Sequence, residues 1–120
     1  MRIGIVGSRT FNDLQLVRNT IDPEGIILVV SGGAKGADSL AEQFAAENNI
    51  PTLVFKPEWK KYGYTAGFIR NTTIVENSDH IYAFWDGSSR GTMDTVNKAR
   101  AQGVPVTLVE YNLTTHLNFE

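Results

Sequence analysis

The run 25-GIILVVSGGAKGADSLAEQFAAENN-49 decides the fold. Ile26–Val30 is a short unbroken apolar stretch, mostly β-branched, as expected of a strand buried on both faces. Further on, Ala37, Leu40, Ala41, Phe44 and Ala45 recur at i, i+3, i+4, i+7 and i+8, the spacing of a helix with one apolar face. Asn48-Asn49 closes that helix. Between the two lies Ser31–Asp38, with three glycines and one lysine in eight residues. A strand that enters a helix through so bare a turn is one half of a parallel βαβ unit.

The same alternation runs through the rest of the chain. Arg2–Val6 is a first strand ending in Gly-Ser-Arg. Asn12–Ile21 is helical, with Leu14, Val17 and Ile21 on one side, and Pro23 and Gly25 break it. Pro51–Phe55 is a third strand. Lys56–Tyr64 has no period and reads as a loop. A helix follows from Thr65 to Asn77, a fourth strand over Asp79–Trp85 and a loop over Asp86–Gly91. Thr92–Gln102 forms a last helix with Met93, Val96 and Ala99 or Arg100 inward, stopped at Gly103. Val104–Glu110 is the fifth strand. This pattern predicts one α/β domain over residues 1–110, a five-stranded parallel sheet covered by helices on both faces. Right-handed crossovers make it a Rossmann-like three-layer sandwich with strand order 3-2-1-4-5. Residues 111–120 are polar and unpatterned and read as a C-terminal extension.

Composition narrows the function. The chain has 120 residues, no cysteine and a formal net charge of −2. Disulfides, thiolate metal sites and cysteine nucleophiles are excluded. No global basic field draws the chain to nucleic acid. No apolar run approaches the ~20 residues of a membrane span, and the first nine residues are too short for a secretory leader. The expected location is cytoplasmic, with no membrane partner. His80 and His116 lack partners at ligand spacing, so no metal and no cofactor are expected. Asn71-Thr72-Thr73 and Asn112-Leu113-Thr114 match the glycosylation pattern by chance in such a chain.

In an open parallel sheet, ligands bind at the carboxyl ends of the strands, near the point where strand order reverses. Three unusual loops share that edge: Gly7-Ser8-Arg9, Ser31–Asp38 and Asp86–Thr92. Gly7, Gly32, Gly33, Gly36 and Gly91 let backbone come close to a ligand. Ser8, Ser31, Ser88, Ser89 and Thr92 add hydroxyls, and Arg9, Lys35 and Arg90 add charge. Free amides at helix starts complete an anion cradle. The Ser31–Asp38 loop fails the P-loop pattern, because its lysine precedes glycine rather than serine or threonine, and no G-x-G-x-x-G follows a strand. P-loop hydrolysis and a conventional NAD site are set aside. Asp38 reads first as a helix cap. Trp59 either stacks on a base or packs on the sheet edge, and Trp85 either walls the pocket or packs in the core. No Ser-His-Asp arrangement can be assembled.

Four stretches, "GSRTFND", "VSGGAKGADSLAEQFAAE", "FKPEWKKYGYTAGFIRN" and "AFWDGSSRGTMDTVNKA", together resemble the YspA-type (cpYpsA-related) branch of the SLOG superfamily over roughly Ile3 to Val109. The resemblance implies a Rossmann-like fold that binds nucleotides or their derivatives. Relatives include the cytokinin-activating phosphoribohydrolases, a DNA-uptake protein acting on single strands, and sensor domains for signalling nucleotides. It also implies that Arg70 faces a phosphate and Asn71 a sugar or loop carbonyl. The phosphoribohydrolases couple an arginine-lysine pair to P-G-G-x-G-T-x-x-E. Here Asn71 follows Arg70, Gly91-Thr92 match the G-T, and Thr95 stands where the glutamate belongs, in a loop two residues longer. Asp94 is one residue early, a rotation of ~100° on a helix. Threonine cannot stabilise the positive charge that builds on a sugar as its N-glycosidic bond breaks.

The sequence therefore predicts a protein that binds a phosphate-bearing nucleotide or nucleotide-derived signal as sensor, carrier or sequestering protein. The alternative is a nucleotide 5′-monophosphate phosphoribohydrolase using Arg70 with Asp94, or with Asp38 or Glu58 as the carboxylate. A third reading is a single-stranded nucleic acid module. Trp59, Tyr62 or Tyr64 would then stack on bases, each worth ~1–3 kcal/mol, but Glu58, Asp86 and the negative total interrupt a basic groove. A homo-oligomer, dimer or higher, is expected, since small domains of this kind often pair.

Overall fold

The computed structural model describes residues 1–111, so Asn112, His116 and the rest of the expected extension lie outside the described residues. In chain order the elements are β1 (Arg2–Gly7), α1 (Leu14–Thr20), β2 (Leu28–Ser31), α2 (Ala37–Glu47), β3 (Thr52–Val54), α3 (Trp59–Tyr62), a 3₁₀ turn (Gly63–Thr65), α4 (Ala66–Glu76), β4 (His80–Trp85), α5 (Arg90–Ala101) and β5 (Val106–Glu110). All strand pairings are parallel, and the order is β3-β2-β1-β4-β5. The fold is the α/β Rossmann-like sandwich that the alternation of patterns predicts.

The strand pleat divides the core in two. Ile3 and Ile5 of β1, Val29 of β2 and Phe84 of β4 pack with Val17 of α1 and Leu40, Ala41, Phe44 and Ala45 of α2. Their neighbours Val6, Val30, Ile81 and Ala83 point the other way, onto Ile74 and Val75 of α4 and Val96 and Ala99 of α5. Both faces are covered, which is why these strands read as continuous apolar runs rather than alternating ones. Truncating a residue as large and as buried as Phe44 to alanine costs ~3–5 kcal/mol. Phe11 stacks on Phe84 at 4.9 Å between ring centroids and meets Tyr111 at 4.8 Å, so packing continues one residue past the expected domain boundary.

Four local differences from the sequence reading have physical reasons. β3 lies at the sheet edge, so Thr52 and Leu53 are exposed despite their apolar run. Lys56–Tyr64, read as a loop, holds one helical turn with no buried residue, too short to show a period. α5 starts at Arg90, two residues earlier than predicted, because the Ser89 hydroxyl caps it by accepting from the Thr92 amide at 3.3 Å. Asp38 does not cap α2. Gly36 occupies the cap position with no side-chain bond, and the Asp38 carboxylate folds back to accept from the Ala34 amide at 3.0 Å. Among the described residues, no helix is long and apolar enough to cross a membrane, and no three His, Cys, Asp or Glu side chains gather as metal ligands do.

Candidate functional site

The carboxyl ends of β1 and β4 are tied together at Ser8. Its amide donates to the Phe84 carbonyl (3.1 Å), and its carbonyl accepts from Phe11 (3.1 Å) and Ala37 (3.3 Å). Its hydroxyl accepts from the Asp86 amide at 3.2 Å. Ser8 is buried, so this network fixes three loops relative to one another. The loop after β2 is pressed against the same point. Gly36 has φ +73°, and a Cβ there would run into the backbone of Ser8 and Arg9. Only glycine meets both conditions.

The fourth side comes from α4. Arg70 donates from Nη1 to the Gly32 carbonyl (2.6 Å) and from Nε to Asn71 Oδ1 (3.0 Å). Asn71 is buried and donates from Nδ2 to the Gly91 carbonyl (3.2 Å) and Asp94 Oδ2 (3.1 Å). Asp94 in turn pairs with Lys98 at 2.9 Å, one turn along α5. Arg70 is thus held over the β2 loop by its own helix neighbour and by backbone.

A cavity of about 400 Å³ opens where these groups meet. Of the sequence-predicted residues, Gly7, Ser8, Arg9, Asp38, Arg70, Asn71, Ser89, Gly91 and Thr92 line it. A second hollow of about 470 Å³ adjoins it and takes Gly32, Gly33, Lys35 and Trp59. Arg9, Ala34 and Arg70 line both. Five predicted residues line neither. Gly36 lies under the loop against Ser8 and Arg9. Ser31 is buried, and its hydroxyl has no hydrogen-bond partner among the described residues. Trp85 turns its indole N–H to the Ser89 carbonyl at 3.1 Å, closing the β4 loop from behind. Ser88 is exposed and bent toward Asp86, and Arg90 is exposed on the first turn of α5. Asp94, the carboxylate nominated for catalysis, also lies outside the cavity wall, because Lys98 and Asn71 hold it between helices.

Sequence reading missed part of the lining. Asp86 and Thr95 face the first cavity, and Lys56 and Pro57 face the second hollow. Thr95 is one helical turn beyond Gly91, whose carbonyl its hydroxyl reaches at 3.3 Å, so spacing alone places it there. Lys56 follows β3, and the rule that ligands bind at strand carboxyl ends would have nominated it.

Charge is arranged unevenly. Burial pushes the Asp38 carboxyl above its ordinary range, offset in part by the Ala34 amide and by Arg70. Burial also lowers the Arg70 pKa; Asp38 opposes that shift, and the nearby Arg9 charge adds to it. The Ser88 amide, with that of Ser89, holds Asp86 below the usual carboxylate range. Two guanidinium groups on a shared wall repel each other until an anion lies against them. The Thr92 amide is taken by Ser89, while the amides before it in the first turn of α5 have no intrahelical acceptor. A phosphoryl group can take hydrogen bonds from both sources.

Comparison with known proteins gives two matches. The family profile described as "YspA, cpYpsA-related SLOG family" matches residues 1–62, which include the β1 and β2 loops and stop before Arg70. A protein described as "Gene 61 protein", from Mycobacterium phage D29, is 32% identical over 117 residues, covering 88% of this chain and 93% of its own. No solved structure matches.

Proposed function

Since this chain belongs to the YspA, cpYpsA-related SLOG family, we infer that it binds a phosphate-bearing nucleotide derivative in the cavity at the carboxyl edge of its sheet. The observation that carries this reading is the meeting of Arg9 and Arg70, from different elements, on one cavity wall beside the start of α5. The phosphate lies against the two guanidinium groups. The sugar and base occupy the polar interior, where Asn71, Thr92 and Thr95 stand.

The bound molecule is held and not cleaved, so the protein acts as sensor, carrier or sequestering agent. Thr95 occupies the wall where the resembling phosphoribohydrolases have a glutamate, and it offers no carboxylate to an emerging oxocarbenium ion. Asp38 and Asp86 do face the cavity, but both already accept backbone amides of their own loops.

The test is calorimetric titration of the protein with nucleoside 5′-monophosphates, together with thermal unfolding. A ligand at a hundred times its dissociation constant stabilises the folded state by ~2.7 kcal/mol. The expected result is a raised melting temperature for at least one nucleotide, lost in Arg70→Ala, and no free base by chromatography after prolonged incubation. Absence of any stabilising nucleotide refutes the reading, and release of free base refutes the non-catalytic role.

A further inference from the structure

The second hollow is chemically unlike the first. Arg9, Arg70, Lys35 and Lys56 line it, and no carboxylate does. The first cavity sets the same two arginines against Asp38 and Asp86. Among the described residues, Arg9, Lys35 and Lys56 form no ion pair. Lys35 and Lys56 extend the positive wall of the second hollow beyond the arginine pair.

An aromatic plate borders this charge. Trp59 is 52% exposed, on a single helical turn that buries nothing, next to Pro57. Core packing does not account for a tryptophan so placed. An indole face beside lysines is a stacking surface for a planar base whose phosphates neutralise the cations. Gly32 and Gly33 also line the hollow; a Cβ at Gly32 would meet the Arg70 guanidinium, and one at Gly33 the side chains of Val54 and Lys56. Each hollow falls within the size range of a small-molecule site, and the Arg9–Ala34–Arg70 wall joins them.

We propose that the ligand is of the dinucleotide class: two nucleoside ends joined by a pyrophosphate. One end sits in the first cavity, the pyrophosphate lies across Arg9 and Arg70, and the second ring stacks on Trp59 with Lys56 beside it. This rests on the nucleotide-binding reading above and extends it to the second hollow.

Titration calorimetry separates the two ideas. Each of the four ribonucleoside 5′-monophosphates is compared with its own symmetrical P1,P2-dinucleoside 5′-diphosphate. For at least one base, the dinucleoside diphosphate is expected to bind tenfold or more tightly than the monophosphate. Trp59→Ala and Lys56→Ala should each remove that gain while changing the monophosphate dissociation constant less than threefold. Both side chains are exposed, so these variants fold. Equal affinities for the two ligand types overturn the proposal and leave the nucleotide reading standing, as does a gain that survives both variants. Tighter binding of a single-stranded hexanucleotide than of any dinucleoside diphosphate also overturns it, assigning the surface to nucleic acid. Failure of all probes, monophosphates included, removes the nucleotide reading itself.

Discussion

Adding one methyl group at Gly32 and at Gly36 separates the two tasks of the β2 loop. At Gly36 the backbone sits at φ +73° and ψ −124°, and a Cβ would strike the main chain of Ser8 and Arg9. Neither obstacle can swing aside. A side chain in so sparsely populated a region costs ~1–3 kcal/mol, and overpacking against fixed backbone adds ~1–3 kcal/mol. For a domain of this size the sum corresponds to a melting temperature lower by about 10 °C or more. At Gly32 the backbone is ordinary and the obstacle is the guanidinium of Arg70, the far end of a flexible side chain. Gly32→Ala pushes that group off the Gly32 carbonyl, and the lost bond to a charged donor is worth ~1.5–3 kcal/mol. Arg70 is only half-buried, so water recovers part of it, leaving a cost of ~1–2 kcal/mol. Thermal unfolding without ligand should therefore show a small drop for Gly32→Ala and a large one for Gly36→Ala. Titration with the best-binding nucleoside monophosphate should show Gly32→Ala weakened tenfold or more, because its Arg70 is displaced. A Gly32→Ala protein that melts as low as Gly36→Ala, or that binds nucleotide as the parent does, would refute the division of labour.

Three further outcomes follow from the same geometry. Arg70→Lys should lose at least tenfold in nucleotide affinity, since a compact ammonium lacks the planar fork whose separate nitrogens reach the Gly32 carbonyl, Asn71 and a phosphate; undiminished binding in titration would contradict this. Burial raises the Asp38 pKa, so the unfolded chain gives up this proton first as pH rises. The contribution of Asp38 is thus fully present below its unfolded pKa and falls as pH climbs through the higher folded value. Asp38→Asn keeps an acceptor for the Ala34 amide and lacks that fall, so it should gain on the parent in urea unfolding as pH rises above the ordinary aspartate value. The opposite trend would mean that the Arg70 charge outweighs burial. Asp94→Asn should leave nucleotide affinity within threefold of the parent, and neither protein should release free base. A parent that releases base, with Asp94→Asn abolishing it, would return Asp94 to the reaction.

The fold was legible because both layers of each unit announce themselves. Ala37 to Ala45 keeps helical spacing because its apolar face is buried, whereas Ile26–Val30, with no polar break, marks the strand but overstates it: β2 starts at Leu28, and Ile27 before it is exposed. Three loops at one edge followed from topology alone. What stayed hidden depends on rotation about single residues. Asp38 folds back instead of capping, which turns on α2 starting one residue before it. Trp85 points behind its loop rather than into the cavity, because Ser89 offers it a carbonyl. Lys35 belongs to a different hollow from Ser89 although both come from glycine-rich loops. Three lysines, Lys56, Lys60 and Lys61, follow the third strand, and the sequence does not tell which of them lines the hollow.

Arg70 is mounted on a helix, not on a loop, and the helix is anchored through Ile74 and Val75 into the core. Mutational drift in the three edge turns can therefore alter the cavity rim, Arg9 included, while Arg70 keeps its place. Diversification among relatives of this chain should accumulate first in the turns and last along the inward stripe of α4.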